Sequence, residues 1–125
     1  MDERYADLPV EVALDELERA GVCIEGRDRV VHYLTAFPSL IQTLFRAVSA
    51  AREHLPEAEL TLEVYQDPEI DDPHLVLYAR QETYDPSFME RLERAEATYI
   101  DDLKYSKGWL NLATDFWRPS ERRCL

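Results

Sequence analysis

The feature that most constrains the fold is a change in hydrophobic spacing at Glu59. Before this residue, apolar side chains recur at helical spacing, most clearly from Leu40 to Pro56. After it, apolar side chains recur at every second residue over 60–65 and again over 75–80, which is typical of two β-strands. The sequence therefore predicts helices followed by a hairpin, in an α+β domain.

Three helices are predicted before the hairpin and a fourth after it, from apolar stripes bounded by proline, glycine or an N-cap residue. They cover residues 10–20, 28–37, 40–55 and 86–103, and a further alternating run over 109–116 predicts a third strand. The order after the N-terminal helices is strand-strand-helix-strand. This order predicts a two-layer α+β domain with a three-stranded, mainly antiparallel sheet and the helices on one of its faces.

The length of 125 residues is the common size of one domain. We therefore predict a single domain over 1–125, with flexible ends at 1–8 and 118–125. No apolar run approaches the roughly 20 residues that cross a bilayer, and the first residues lack the pattern of a signal peptide. The expectation is a cytoplasmic protein that does not bind membranes.

Alternation along the strands assigns their side chains to two faces. One face is apolar and is predicted to pack on the helices through Leu60, Leu62, Val64, Leu75, Leu77, Leu110 and Leu112. The opposite face, here called the second face, carries Thr61, Glu63, Tyr65, Val76, Tyr78, Arg80, Trp109 and Asn111. This mixture is too apolar for bare solvent and too charged for a core.

Charge is spread unevenly along the chain. The net charge is −12, and residues 56–103 alone carry 14 acidic and 3 basic side chains, which gives −11. An acidic block of this kind repels phosphate groups and attracts basic proteins. We therefore predict no direct binding of nucleic acid and a basic protein partner, although the acidic side chains could equally serve solubility alone.

Acidic residues also cluster between the two strands of the hairpin, at Asp67, Glu69, Asp71 and Asp72. Carboxylates from one loop suit a hard cation, but an EF-hand loop counted from Asp67 needs glycine at 72 and glutamate at 78. The chain has Asp72 and Tyr78 there, so no metal site is predicted. Neither the three histidines nor the three glycines follow a metal-binding, nucleotide-binding or nucleophile motif, so no catalytic residue and no cofactor are predicted.

Aromatic side chains supply the remaining functional candidate. The predicted partner-binding residues are Tyr65, Tyr78, Trp109, Glu63, Asp71 and Asp72. Tyrosine and tryptophan are enriched where proteins bind one another, so the favoured function is a protein-interaction module, with a protein partner or a second copy of the chain. A structural alternative is that the first helix covers these rings. Two functional alternatives are a ligand-binding regulatory domain and a small-molecule or metal-dependent enzyme. In an enzyme, His74 beside the loop acids would act as a general base.

Residues 62–72, 75–80 and 108–116 resemble a family of small, acidic, uncharacterised bacterial proteins, and the resemblance covers about residues 28–118. It implies that such proteins are encoded beside small helical partners of the HEPN type, a class that includes ribonuclease toxins. An antitoxin-like or accessory role is what the resemblance implies, and it assigns no catalytic residue.

Overall fold

The computed structural model describes residues 9–66, 69, 73–105 and 108–116. The predicted flexible ends and the loop residues Asp67, Asp71 and Asp72 lie outside the described residues. The helices and strands in the described ranges are α1 (Val10–Arg19), β1 (Cys23–Ile24), α2 (Arg27–Ala36), α3 (Leu40–His54), β2 (Glu59–Tyr65), β3 (His74–Arg80), α4 (Phe88–Ala97), a 3₁₀ helix (Ile100–Tyr105) and β4 (Leu110–Ala113).

The strands form one mixed sheet in the order β1-β2-β3-β4. The hairpin of β2 and β3 is antiparallel, whereas β1 is parallel to β2 and β4 is parallel to β3. The α+β class is confirmed, and the prediction of a three-stranded, mainly antiparallel sheet is wrong. The two residues of β1 are too few to show an alternating pattern, and α4 returns the chain to the end of the sheet where β3 began, which makes β4 parallel.

The helix-facing side of the sheet is the apolar side that the alternation predicted. Six of its seven predicted residues are buried, and the seventh, Val64, is half-buried against the same core. Leu62 pairs with Leu77, and Leu77 pairs with Leu112, so one layer of leucines crosses three strands. Burial of each such side chain contributes about 1.5–3 kcal/mol, and these residues share one core with helices α1 to α4.

Charged side chains join the first two helices. Arg27, at the start of α2, donates hydrogen bonds to Glu11, Asp15 and Glu18 of α1 over 3.0, 2.9 and 3.0 Å. The hydrogen bond to Glu11 is the largest of the effects that raise the pKa of Arg27. One arginine therefore offsets part of the acidic outer face of α1.

The outer edge of β4 is covered by a buried tyrosine. Tyr99 is fully buried, and its hydroxyl donates to the backbone oxygen of Leu110 over 3.2 Å. Burial raises the pKa of Tyr99 above its usual range, so the phenol keeps its proton and remains a donor. An edge strand with unpaired backbone groups can pair with another chain, and the Tyr99 hydroxyl already hydrogen-bonds to one of these groups.

Two cysteines near opposite ends of the chain, without a CxxC spacing, predict no disulfide, but Cys23, the first residue of β1, is disulfide-bonded. The second cysteine of the chain, Cys124, lies outside the described residues. Disulfides persist mainly in oxidising compartments, so this bond does not support the cytoplasmic location, which stays a prediction.

Candidate functional site

Strand register places aromatic side chains of the second face in a row at one end of the sheet. Tyr65 on β2 pairs with His74 on β3. Leu75 pairs with Leu110, and the backbone N–H of Leu75 donates to the oxygen of Trp109 over 3.0 Å. Trp109 therefore lies beside His74, immediately before β4. We call Tyr65, His74 and Trp109 the aromatic row.

Two members of the aromatic row are open to solvent and are held in place by their neighbours. Tyr65 and Trp109 are each 43% exposed. The rings of Tyr65 and His74 lie 5.4 Å apart between centroids, and the indole Nε1 of Trp109 donates to Oδ1 of Asn111 over 2.7 Å. Because these contacts orient the rings before any partner arrives, binding through them loses little side-chain entropy.

The backbone before β4 is fixed by a close approach to the helices. The hydroxyl of Tyr33 accepts a hydrogen bond from the backbone N–H of Trp109 over 2.9 Å. A Cβ atom added at Gly108 would lie 2.7 Å from Cδ1 of Leu40 and 2.9 Å from Cγ of Phe37. Only glycine allows this approach, so Gly108 helps to set where Trp109 emerges on the second face.

A buried arginine lies further along the second face. Arg80 is 1% exposed, and its Nε and Nη2 atoms donate to Oδ1 and Oδ2 of Asp115 over 3.0 and 2.8 Å. Its guanidinium carbon lies 4.7 Å from the centroid of the Tyr78 ring. Burial opposes the charge of Arg80, but the hydrogen bonds and charge of Asp115 outweigh it, so the pKa of Arg80 is raised.

These contacts show that part of the second face is covered. Thr61, Val76 and Arg80 are buried, and Tyr78 is half-buried. The pKa of Tyr78 is raised, first by this burial and then by the negative charge of Glu63. The solvent-exposed rings of the face are therefore confined to the end that carries the aromatic row.

A small cavity lies next to this end of the sheet. Its volume is about 200 Å³, and it is lined by Glu25, Gly26, Arg29, Glu63 and Val64. Glu63 precedes Tyr65 by two residues on β2, so the two side chains lie on the same face. The cavity therefore lies beside the strand that carries Tyr65.

The structure brings together four of the six predicted partner-binding residues. Tyr65 and Trp109 are exposed, and Tyr78 and Glu63 are half-buried on the same face. Asp71 and Asp72 lie outside the described residues. Sequence reasoning considered His74 only as a possible general base, and it missed two further neighbours of the site, Asp115 and Glu25. Alternation along β3 could have placed His74 on the second face, whereas no sequence pattern links Arg80 to a carboxylate 35 residues away.

Two further features bear on the classes of function. Within the described ranges, no three side chains of the His, Cys, Asp or Glu type lie close enough to hold a metal ion. The helices in those ranges include none with the length and apolar character that a bilayer crossing needs.

No family model matches the chain, and neither the curated proteins nor the solved structures contain a match. The resemblance to a bacterial family therefore stays a prediction.

Proposed function

We propose that the chain is a protein-interaction module that binds a basic protein partner through the aromatic row, as an antitoxin-like or accessory subunit. The observation that carries the proposal is the exposure of Tyr65 and Trp109, in register on the sheet face opposite to the helices. These rings are the reason for preferring a binding module to an enzyme.

The aromatic row has the properties of an interface anchor. Tryptophan and tyrosine dominate binding energy in protein interfaces because they bury a large area with few rotatable bonds. Trp109 is held by its hydrogen bond to Asn111, and Tyr65 is held against His74. A partner would therefore meet two rings that are already oriented.

The charge of the chain favours a basic partner over a second copy. Each copy carries a net charge of −12, so two copies repel one another, whereas a basic protein is attracted and steered toward the surface. Glu63 lies within the site, and Asp71 and Asp72 belong to the loop that follows Tyr65 in the sequence. The same charge disfavours direct contact with nucleic acid.

The antitoxin-like part of the proposal is supported by the resemblance alone. The binding part is supported by the exposed rings and by the charge, and it does not depend on the identity of the partner.

The proposal is tested by purifying tagged chains from their native cells and comparing what each retains. We expect the original chain and Met89→Ala to retain the same basic protein, and Trp109→Ala and Tyr65→Ala to lose it. Met89 is a matched control because it is also 43% exposed but lies on α4, on the helical side of the sheet. Loss of an anchor residue costs at least about 2 kcal/mol, or about thirtyfold in affinity.

Equal retention of one partner by Trp109→Ala, Tyr65→Ala and Met89→Ala would show that the aromatic row is not the binding surface. Folding of each variant is checked by its thermal unfolding midpoint, which should change little because neither side chain belongs to the hydrophobic core.

A further inference from the structure

The chain that leaves β4 is held at the second face of the sheet. Arg80 lies on that face, and its guanidinium donates two hydrogen bonds to the carboxylate of Asp115. The next residue, Phe116, has a left-handed backbone with a φ of 61°, which residues other than glycine rarely adopt. Its N–H donates to the Thr114 hydroxyl over 3.1 Å. The extended direction of β4 therefore ends here, and the described chain stops beside the second face.

A disulfide marks another point on the same face. Cys23 belongs to one row of paired residues that crosses the sheet and includes Thr61, Tyr78 and Ala113. Residues paired across strands direct their side chains to the same face, which for Thr61 and Tyr78 is the second face. Cys23 is disulfide-bonded, and the other cysteine of the sequence is Cys124. The bond therefore brings Cys124 to the second face.

The chain between these two points has the length to cross the face. Neighbouring strands lie about 4.8 Å apart, so the row spans about 14 Å over the four strands. The eight residues 117–124 reach at most about 28 Å when extended. A path around the outside of the helices would add about 10 Å on each side and would exceed this reach. The direct path runs over the second face.

Side chains along this path are buried although the helices pack on the opposite face. Thr61 is 3% exposed and Val76 is 4% exposed, and Val76 is buried without belonging to the core that the strands share with the helices. A sheet with one face on the core usually has its other face in water. Tyr65 and Trp109, at the opposite end of the sheet, do remain exposed. The cover is thus confined to the part of the face between Arg80 and Cys23.

We infer that the C-terminal segment, residues 117–125, crosses the second face and is tied to β1 by a disulfide between Cys124 and Cys23. The segment carries three arginines and one glutamate, which gives +2, whereas the whole chain carries −12, so charge favours its contact with the rest of the chain. Ordering nine residues costs conformational entropy, and the cross-link limits the freedom that is lost. The segment closes the middle of the second face and leaves the aromatic row open.

Reduction of the disulfide opens this cover. A dithiol gives two electrons and two protons to the bond, which yields the thiols of Cys23 and Cys124 and converts the dithiol into its own disulfide. The released segment no longer has to lie on the face, so Thr61 and Val76 become accessible beside the aromatic row. The redox state of one bond thus sets how much of the second face a partner can contact.

The linkage is tested by mass spectrometry of the full chain, treated with glutathione disulfide and digested with trypsin without reduction. Cleavage after arginine releases Cys23 in residues 20–27 and Cys124 in residues 124–125. We expect these two peptides to be joined by one disulfide in the monomer fraction. A free or glutathione-capped Cys23, or joined peptides in a dimer fraction alone, would overturn the inference.

The cover is tested by NMR with a soluble gadolinium chelate, which broadens the signals of methyl groups that solvent reaches. The Thr61 methyl signal should persist in the oxidised chain and lose most of its intensity after reduction with dithiothreitol and in Cys124→Ser. Thr43 is the matched control, because it is 5% exposed on α3. The temperature is chosen so that Thr43 stays protected in all three samples, which separates release of the segment from unfolding.

Two results of this measurement would contradict the cover. A Thr61 signal that is broadened already in the oxidised chain would show that nothing lies over it. A Thr61 signal that stays protected in both the reduced chain and Cys124→Ser would show that another part of the chain covers it, or that the segment stays in place without the bond.

Discussion

The buried ion pair between Arg80 and Asp115 allows a quantitative test of how the second face is held together. Replacing Asp115 by alanine leaves the guanidinium of Arg80, which is 1% exposed, without its two hydrogen-bond acceptors. Removal of one partner from a buried pair costs about 3–5 kcal/mol. The cost should be lower here, because the Asp115 side chain is 26% exposed and Glu63 and Glu25 also interact with the charge of Arg80.

We therefore expect Asp115→Ala to lower the free energy of unfolding by about 2–3 kcal/mol, which corresponds to a fall of about 10 °C in the melting temperature for a domain of this size. Arg80→Met keeps the apolar stem and removes the buried charge. Asp115 can then turn toward water, so the expected loss is about 1 kcal/mol or less. In the double variant, Arg80→Met should restore most of the stability that Asp115→Ala removes.

The assay is urea unfolding followed by circular dichroism, with the four chains of the double-mutant cycle compared at one pH. Asp101→Ala is the matched control, because its ion pair with Lys104 is largely exposed over 3.4 Å and should contribute less than about 0.5 kcal/mol. The reasoning is refuted if Asp115→Ala unfolds at the same urea concentration as the original chain. It is also refuted if the double variant is less stable than Asp115→Ala alone.

Two further predictions concern the segments before β4 and before α4. Gly108→Ala should lower the free energy of unfolding by about 1–3 kcal/mol, because the added methyl group meets Leu40 and Phe37 within 3.0 Å; an unchanged urea midpoint would contradict this. The pKa of Asp85 is held below its ordinary value, first by the hydrogen bond from the Ser87 hydroxyl. The contacts of the ionised Asp85 therefore stabilise the fold above its ordinary pKa, and this stabilisation is lost as the pH falls through the lowered pKa. An NMR titration should show this low midpoint and its rise in Ser87→Ala, and identical midpoints in the two chains would contradict the assignment.

Local patterns in the sequence predicted the hairpin and the core face because the information for both is local. Alternation over 60–65 and 75–80 determined which side chains face inward, and the observed register agrees. Two features of the sheet were not predicted, the strand β1 and the parallel orientation of β4, and the reasons differ. The two residues of β1 carry too little pattern, whereas the order β3-α4-β4 did contain a signal, because a strand-helix-strand connection normally joins parallel strands.

The candidate site was predicted only in part, because its contacts join distant residues. Alternation placed Tyr65 and Trp109 on one face, which the structure bears out. It also placed Arg80 there, without its partner Asp115. The structure shows Arg80 buried against Asp115, a contact that depends on the parallel placement of β4 beside β3. Because the parallel pairing of β3 and β4 was not predicted, the ion pair that covers this part of the second face was not predicted either.

The edges of the sheet bear on how a partner would bind. Proteins that recognise extended peptides often add a strand to a free sheet edge. At β4 the backbone oxygen of Leu110 already accepts a hydrogen bond from the Tyr99 hydroxyl, and Tyr99 is fully buried against the strand. Because burial raises the pKa of Tyr99, this donor is retained throughout the physiological pH range. Strand addition at β4 would have to displace a buried side chain, whereas Tyr65 and Trp109 offer their rings without rearrangement, so binding across the face is favoured over strand addition at β4.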